Sequence, residues 1–243
     1  MGTVIVITSG KGGTGKTSLT GGIGAALARR GSKILCIDGD IGLRNLDIAL
    51  GISQMGALSF QEVREYGLDK ATQHPDFPNL RFLTAPMNCS AAAVDTEDFG
   101  RLLEEARSGY SYVLLDAPAG VELGFSLCAA YADRVILVTG SDPASIRDAH
   151  QAADKLELMG KGNVRLVVNR IHKKMAAAMG LTVDDIMDQA GVPLLGIVPE
   201  DQNVVLSAAF RQPLLGYTGK GAAAACRRIA RRIQGFSVPV GLK

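Results

Sequence analysis

The chain has 243 residues, 47% of them hydrophobic, enough to bury a full core as one domain over 1–243. Its 26 basic and 24 acidic side chains leave a formal charge of +2, too small to demand a nucleic-acid partner, so any basic surface is local. Cys36, Cys89, Cys128 and Cys226 stand far apart without a C-x-x-C pair, which argues against a zinc site, an iron–sulfur scaffold or a secreted disulfide framework; buried free thiols are expected. The first apolar run, Val4 to Ile7, enters a glycine loop with no charged leader, and no apolar stretch approaches the ~20 residues that cross a bilayer. A cytoplasmic location is the expectation.

Short β-branched runs alternate with Ala- and Leu-rich stretches at helical spacing, the pattern of βα units around a mostly parallel sheet with helices on both faces. In chain order, a strand is predicted over 3–8, a helix over 17–30, and strands over 33–37 and 80–84. A helix over 96–108 follows, then strands over 112–115 and 134–139 and a helix over 144–159. The chain closes with a strand over 164–168, a helix over 182–190, a strand over 194–197 and a helix over 220–234. Residues 51–86 are less regular and hold at most one short helix near 59–66. No fixed-period repeat or low-complexity linker marks an internal boundary; residues 236–243 form a short tail.

After the first strand comes Gly10-Lys11-Gly12-Gly13-Thr14-Gly15-Lys16-Thr17, which satisfies G-x-x-x-x-G-K-[ST] and runs through Ser18 into a helix. Glycines allow successive N–H groups to turn toward phosphate oxygens, and the helix adds its positive dipole end. Lys16 is expected to neutralise the β- and γ-phosphates of a nucleotide and Thr17 to ligate Mg²⁺. The second strand ends in Asp38-Gly39-Asp40, two carboxylates at the carboxyl end of the sheet where ligands gather in open α/β folds. One is suited to the Mg²⁺ water shell and one to the water that attacks the γ-phosphate. The strand over 112–115 ends in Asp116, the expected further carboxylate for Mg²⁺.

The segment Lys11-Gly12-Gly13-Thr14-Gly15-Lys16-Thr17 resembles the deviant Walker A motif of the MinD/ParA family of P-loop ATPases, and the following motifs keep the family's order to about Thr218. The resemblance implies that Lys11 reaches across an ATP-sandwich homodimer, that Asp40 serves the water and that Asp38 lies near the metal. Asp116-Ala117-Pro118-Ala119-Gly120 resembles the family's Walker B and second switch. Asn169-Arg170 and Pro199-Glu200-Asp201 resemble its adenine-side motifs, Asn169 offering an amide to the base edge and Pro199 a wall. Ile41-Gly42-Leu43-Arg44-Asn45-Leu46-Asp47 is more similar to the MinD branch than to the ParA branch.

The implied activity is Mg²⁺-dependent ATP hydrolysis, with Lys11, Lys16 and Asp40 as its catalytic groups. The implied function is a spatial switch in cell division that recruits effector and activator proteins, such as a division inhibitor. Positioning of flagella or other cargo, and DNA segregation through Arg227, Arg228, Arg231 and Arg232, are the alternatives. MinD-branch chains end in a basic amphipathic membrane helix, and here the pattern departs, so peripheral contact at the inner face of the cell membrane is the alternative to a purely cytoplasmic location. Ala222, Cys226, Ile229 and Ile233 form one stripe expected to pack on the core, and Phe236, Val238, Val240 and Leu242 alternate as in an extended segment.

Overall fold

The computed structural model describes residues 1–41, 43–87, 89–172, 178 and 180–241; Gly42 of the switch run and Leu242 of the tail lie outside the described residues. Eight strands build one sheet: β1 (Thr3–Ser9), β2 (Ile34–Asp38), β3 (Thr72–Gln73), β4 (Leu80–Leu83), β5 (Tyr112–Ala119), β6 (Arg134–Thr139), β7 (Val164–Ile171) and β8 (Leu194–Pro199). Their order is β3-β4-β2-β5-β1-β6-β7-β8, parallel throughout except for the short antiparallel edge β3. β1 therefore lies inside the sheet, with β5 on one side and β6 on the other. The chain leaves β1 for the β2 side, and reaches β6 and its neighbours only after β5. That reversal opens a crevice at the carboxyl end of β1, the place where doubly wound sheets bind ligands.

Among the described residues the α-helices are α1 (Lys16–Arg29), α2 (Leu46–Leu50), α3 (Val63–Tyr66), α4 (Thr96–Gly109), α5 (Leu123–Ala130), α6 (Pro143–Leu158), α7 (Val183–Ala190), α8 (Asn203–Ala209), α9 (Leu214–Tyr217) and α10 (Gly221–Ile233). Strand side chains alternate between two cores, as the two-residue period of a strand requires. Val4, Val6, Leu35, Ile37, Val113 and Leu115 face α4, α5, α6 and α7. Ile5, Ile7, Ile34, Cys36 and Leu114 face α1, α2 and α10. Both faces are covered, which is why these strands read as continuous apolar runs.

The stripe Ala222, Cys226, Ile229 and Ile233 is buried, and α10 packs beside α1. A Cβ on Gly22 of α1 would lie 2.7 Å from Cys226 Sγ, so the two helices approach as closely as a glycine allows. Beyond α10 the tail has no helix among the described residues. Val238 is buried, and its carbonyl accepts from Arg232 Nε at 2.9 Å. Cys36, Cys128 and Cys226 are buried free thiols and Cys89 is half-buried. No described helix is long and apolar enough to cross a membrane.

The structure extends several predicted elements. β5 continues through Asp116 to Ala119, and β7 continues through Asn169 and Arg170 to Ile171, so those residues sit on strand ends and not in loops. α5, α8 and α9 stand where no helix was predicted.

Candidate functional site

β1 ends at Ser9 and α1 begins at Lys16, and the loop between them turns through left-handed backbone at Gly13 (φ +79°) and Gly15 (φ +89°). Gly10 is required for another reason: a Cβ there would lie 1.9 Å from the Asp148 carbonyl oxygen of α6. Among the described residues, no backbone N–H from Gly12 to Ser18 donates to a protein acceptor. These donors border a cavity of about 650 Å³ lined by Gly12, Gly13, Gly15, Lys16, Thr17 and Ser18 on the loop side. A Cβ built on Gly12 or Gly13 would meet nothing within 4 Å, so there is open space beside both residues. Lys16 is only 7% exposed and has no ion pair among the described residues. Unpaired donors, a helix N-terminus and a sequestered ammonium together form an anion cradle.

Two loop residues point elsewhere. Lys11 is half-exposed with its ammonium 3.6 Å from the Asp142 carboxylate, which also caps α6 by accepting the Ser145 N–H at 3.0 Å. The Thr14 hydroxyl is buried with no hydrogen-bond partner among the described residues.

The carboxylates are set by sheet register, which pairs Asp38 of β2 with Asp116 of β5. Asp38 is fully buried; its two oxygens accept the N–H groups of Asp40 and Leu46, each at 3.0 Å, and so tie β2 to the start of α2. Burial pushes its pKa up to about 6, against the pull of those hydrogen bonds. Asp116 is 1% exposed and accepts from the Thr20 hydroxyl at 3.0 Å. Burial raises its pKa to about 7, although a hydrogen bond from Thr17 and the Lys16 charge favour the ionised form. Asp40 lines the cavity itself. No group of three His, Cys, Asp or Glu side chains among the described residues makes a metal cage. A divalent ion would need Thr17, phosphate oxygens and water, with carboxylates behind them, a donor set that suits Mg²⁺.

The opposite wall comes from the ends of β7 and β8. Asn169, Arg170, Pro199, Glu200 and Asp201 line the cavity with Val198, Val204, Ala208 and Leu214, an apolar slot for a flat ring. Asn169 Nδ2 donates to the Thr14 carbonyl at 2.7 Å, leaving the amide oxygen as its remaining acceptor. Arg170 has left-handed backbone (φ +56°) at a register shift in β7; it donates to the Gly13 carbonyl at 3.1 Å and pairs with both oxygens of Glu200. Asp201 is spent on caps, accepting from Asn203 N–H at 3.0 Å and from Ala222 N–H at 2.8 Å at the start of α10.

Sequence reasoning missed Thr20 and Asp142. Thr20 was detectable, since it follows Lys16 by one helical turn and so faces the same side. Asp142-Pro143 was readable as a helix start, though not as a neighbour of Lys11. Of the four arginines of α10, Arg227 donates to Gly219 O, Arg231 stacks on Phe236, and Arg232 holds Val238 O and Leu195 O, so three are engaged within the chain.

Residues 5–214 match the family described as CbiA, the CobQ/CobB/MinD/ParA nucleotide binding domain. The septum site-determining protein MinD of Synechocystis sp. is 39% identical over 248 aligned positions, spanning 98% of this chain and 92% of that protein. A chain of the MinC:MinD cell division protein complex of Aquifex aeolicus superposes with a TM-score of 0.89 at 37% identity, over 98% of each chain. The septum site-determining protein MinD of Pyrococcus horikoshii OT3, solved with Mg-ADP, superposes with a TM-score of 0.83 at 25% identity, over 96% of each chain. Because the likeness runs almost end to end and includes the phosphate loop, the chain belongs to the MinD branch of the MinD/ParA family of ATPases.

Proposed function

We propose that the chain is an ATP-driven switch in septum-site placement that dimerises around ATP, recruits an effector in that state, and resets by hydrolysis. The observation that carries the reading is the pair of loop lysines with opposite situations: Lys16 buried beside the cavity, Lys11 half-exposed with its ammonium, among the described residues, held only by a surface ion pair. The first suits the chain's own nucleotide. The second is free to leave Asp142, since an exposed pair at 3.6 Å contributes little.

Lys16, Thr17 and the N–H groups of Gly12 to Ser18 bind the phosphates, with Gly10 fixing the loop on α6. Mg²⁺, when bound, neutralises charge on the β- and γ-phosphate oxygens. Thr17 would be its protein ligand and Asp116 would orient the surrounding water, with Asp38 beside it holding the turn that carries Asp40. Asp40 holds the attacking water, and Lys11 is offered to the partner subunit's phosphates. Asn169, Arg170, Pro199, Glu200 and Asp201 shape the base side. An effector of the MinC kind is the proposed partner, since the Aquifex aeolicus relative was solved as a MinC:MinD complex. The proposed place of action is the cytoplasm, the domain being the whole of 1–243 with 236–243 as its tail.

Light scattering on a sizing column with Mg-ATP and with Mg-ADP tests the switch. A dimer with Mg-ATP, a monomer with Mg-ADP, and a Lys11→Ala variant that binds nucleotide yet stays monomeric are expected. A variant that dimerises fully and hydrolyses normally overturns the sandwich.

A further inference from the structure

Three carbonyls of the phosphate loop are held from outside by side chains. Ser9 Oγ donates to Lys11 O at 2.8 Å, Arg170 to Gly13 O at 3.1 Å, and Asn169 Nδ2 to Thr14 O at 2.7 Å. Every peptide bond among the described residues is trans. Across a planar trans peptide, the carbonyl of one residue and the N–H of the next point in opposite directions. Fixing Lys11 O, Gly13 O and Thr14 O therefore fixes the directions of the Gly12, Thr14 and Gly15 N–H groups, all unpaired within the described residues.

We infer that Ser9, Asn169 and Arg170 form an outer brace that sets these peptide planes, so that they are positioning residues for polyphosphate whatever base it carries. The inference rests on the nucleotide reading above and gives the β7 end a second duty. Two observations support it. Asn169 is 6% exposed, and a Cβ on Gly15 would lie 2.4 Å from its Nδ2, so the amide is wedged beneath the loop with one of its two N–H donors spent on the Thr14 carbonyl. Arg170 adopts left-handed backbone, unfavourable for its side chain, where its guanidinium spans Gly13 and Glu200. A loop without the brace has to order its donors on binding, and the ligand loses the benefit of preorganisation.

The test separates phosphate from base. Calorimetric affinities for Mg-tripolyphosphate and for Mg-ATP are measured on wild type, Ser9→Ala, Ser9→Thr and Asn169→Ala, with unliganded thermal unfolding as the check on folding. The neutral variants avoid the direct charge loss that replacing Arg170 brings. Ser9→Ala is expected to weaken both ligands by the same factor, about five- to tenfold, the worth of one hydrogen bond, and Asn169→Ala to weaken tripolyphosphate by that factor and ATP by at least as much. Ser9→Thr, which keeps the hydroxyl, stays within about twofold of wild type. Unchanged tripolyphosphate affinity in folded Ser9→Ala overturns the brace. So does an Asn169→Ala variant that loses only ATP, since that is the signature of a base contact alone. Wild type that binds neither ligand defeats the nucleotide reading itself, and the brace with it.

Discussion

At the scale of single residues, Thr14 and Asp40 separate stability from chemistry. The Thr14 hydroxyl is buried without a partner among the described residues, while its carbonyl is well bonded to Asn169. A buried hydroxyl that makes no hydrogen bond keeps its desolvation cost and returns nothing. Thr14→Val has nearly the same shape and removes that group, so urea denaturation of the nucleotide-free protein is expected to show a gain on the order of 1 kcal/mol. Equal or lower stability would mean that the hydroxyl has a partner such as a buried water. Asp38 and Asp40 divide along a similar line: both oxygens of Asp38 hold the backbone of the following turn, whereas Asp40 faces the cavity. Phosphoryl transfer depends on positioning the attacking water, so Asp40→Ala should retain ATP, accumulate as dimer, and hydrolyse on the order of 10²-fold more slowly. A sizing column with Mg-ATP run beside a phosphate-release assay reads both. Wild-type turnover in that variant would make Asp40 structural.

At the scale of elements, α10 shows what the amino-acid pattern made legible. Its apolar stripe at helical spacing predicted a face against the core, and Ile229 is 1% exposed, packed where a Cβ on Gly196 of β8 would fall 2.6 Å from its Cγ1. Ile229→Ala leaves a cavity between α1, β8 and α10, and a loss of about 2–5 kcal/mol is expected in denaturant unfolding. A loss below 1 kcal/mol would mean that α10 is not part of the cooperative unit. The seven parallel strands were legible because strands covered on both faces must be apolar at consecutive positions. β3 was not, since Thr72 and Gln73 are two polar residues paired only with β4. α5 (Leu-Gly-Phe-Ser-Leu-Cys-Ala-Ala) is apolar nearly all round and has no helical stripe; α8 opens with Asn-Val-Val-Leu, whose β-branched pair suits a strand. In the site, the phosphate loop was legible because its chemistry depends on fixed local spacing. The contacts of Ser9, Thr20 and Asn169 were not. Thr20 and Asp116 are separated by 96 residues, and Asn169 and Thr14 by 155, distances that only the completed sheet closes.

At the scale of the whole molecule, the site should leave a mark on how stability varies with pH. Asp116 and Asp38 have pKa values raised by burial to about 7 and about 6, above the value near 4 of an unfolded carboxyl. Between those limits the native state binds more protons than the unfolded state, so the contribution of these groups falls as pH rises from about 4 to about 7. The nucleotide-free protein therefore carries an electrostatic cost at neutral pH that a bound cation can relieve. His74 works in the opposite sense. It is 1% exposed, bonded to Leu50 O at 2.8 Å, and burial holds its pKa below the usual histidine value, so its contribution declines as pH drops below about 6.5. The raw wild-type profile is thus a sum of opposing slopes, and a single variant isolates one of them. Asp116→Asn keeps an acceptor for Thr20 but cannot ionise. Relative to wild type it should gain stability as pH rises from 5 to about 7 and then level off toward pH 8, by a few kcal/mol at most for a shift of this size. The carboxylates whose pKa is lowered, such as Asp95 and Asp142, do not interfere, because they stay ionised across that window. Urea midpoints for both proteins at pH 5 and pH 8 without nucleotide decide the matter. Parallel profiles would mean that Asp116 ionises as easily in the folded protein as in the unfolded chain, and that the carboxyl end of β5 is open to water.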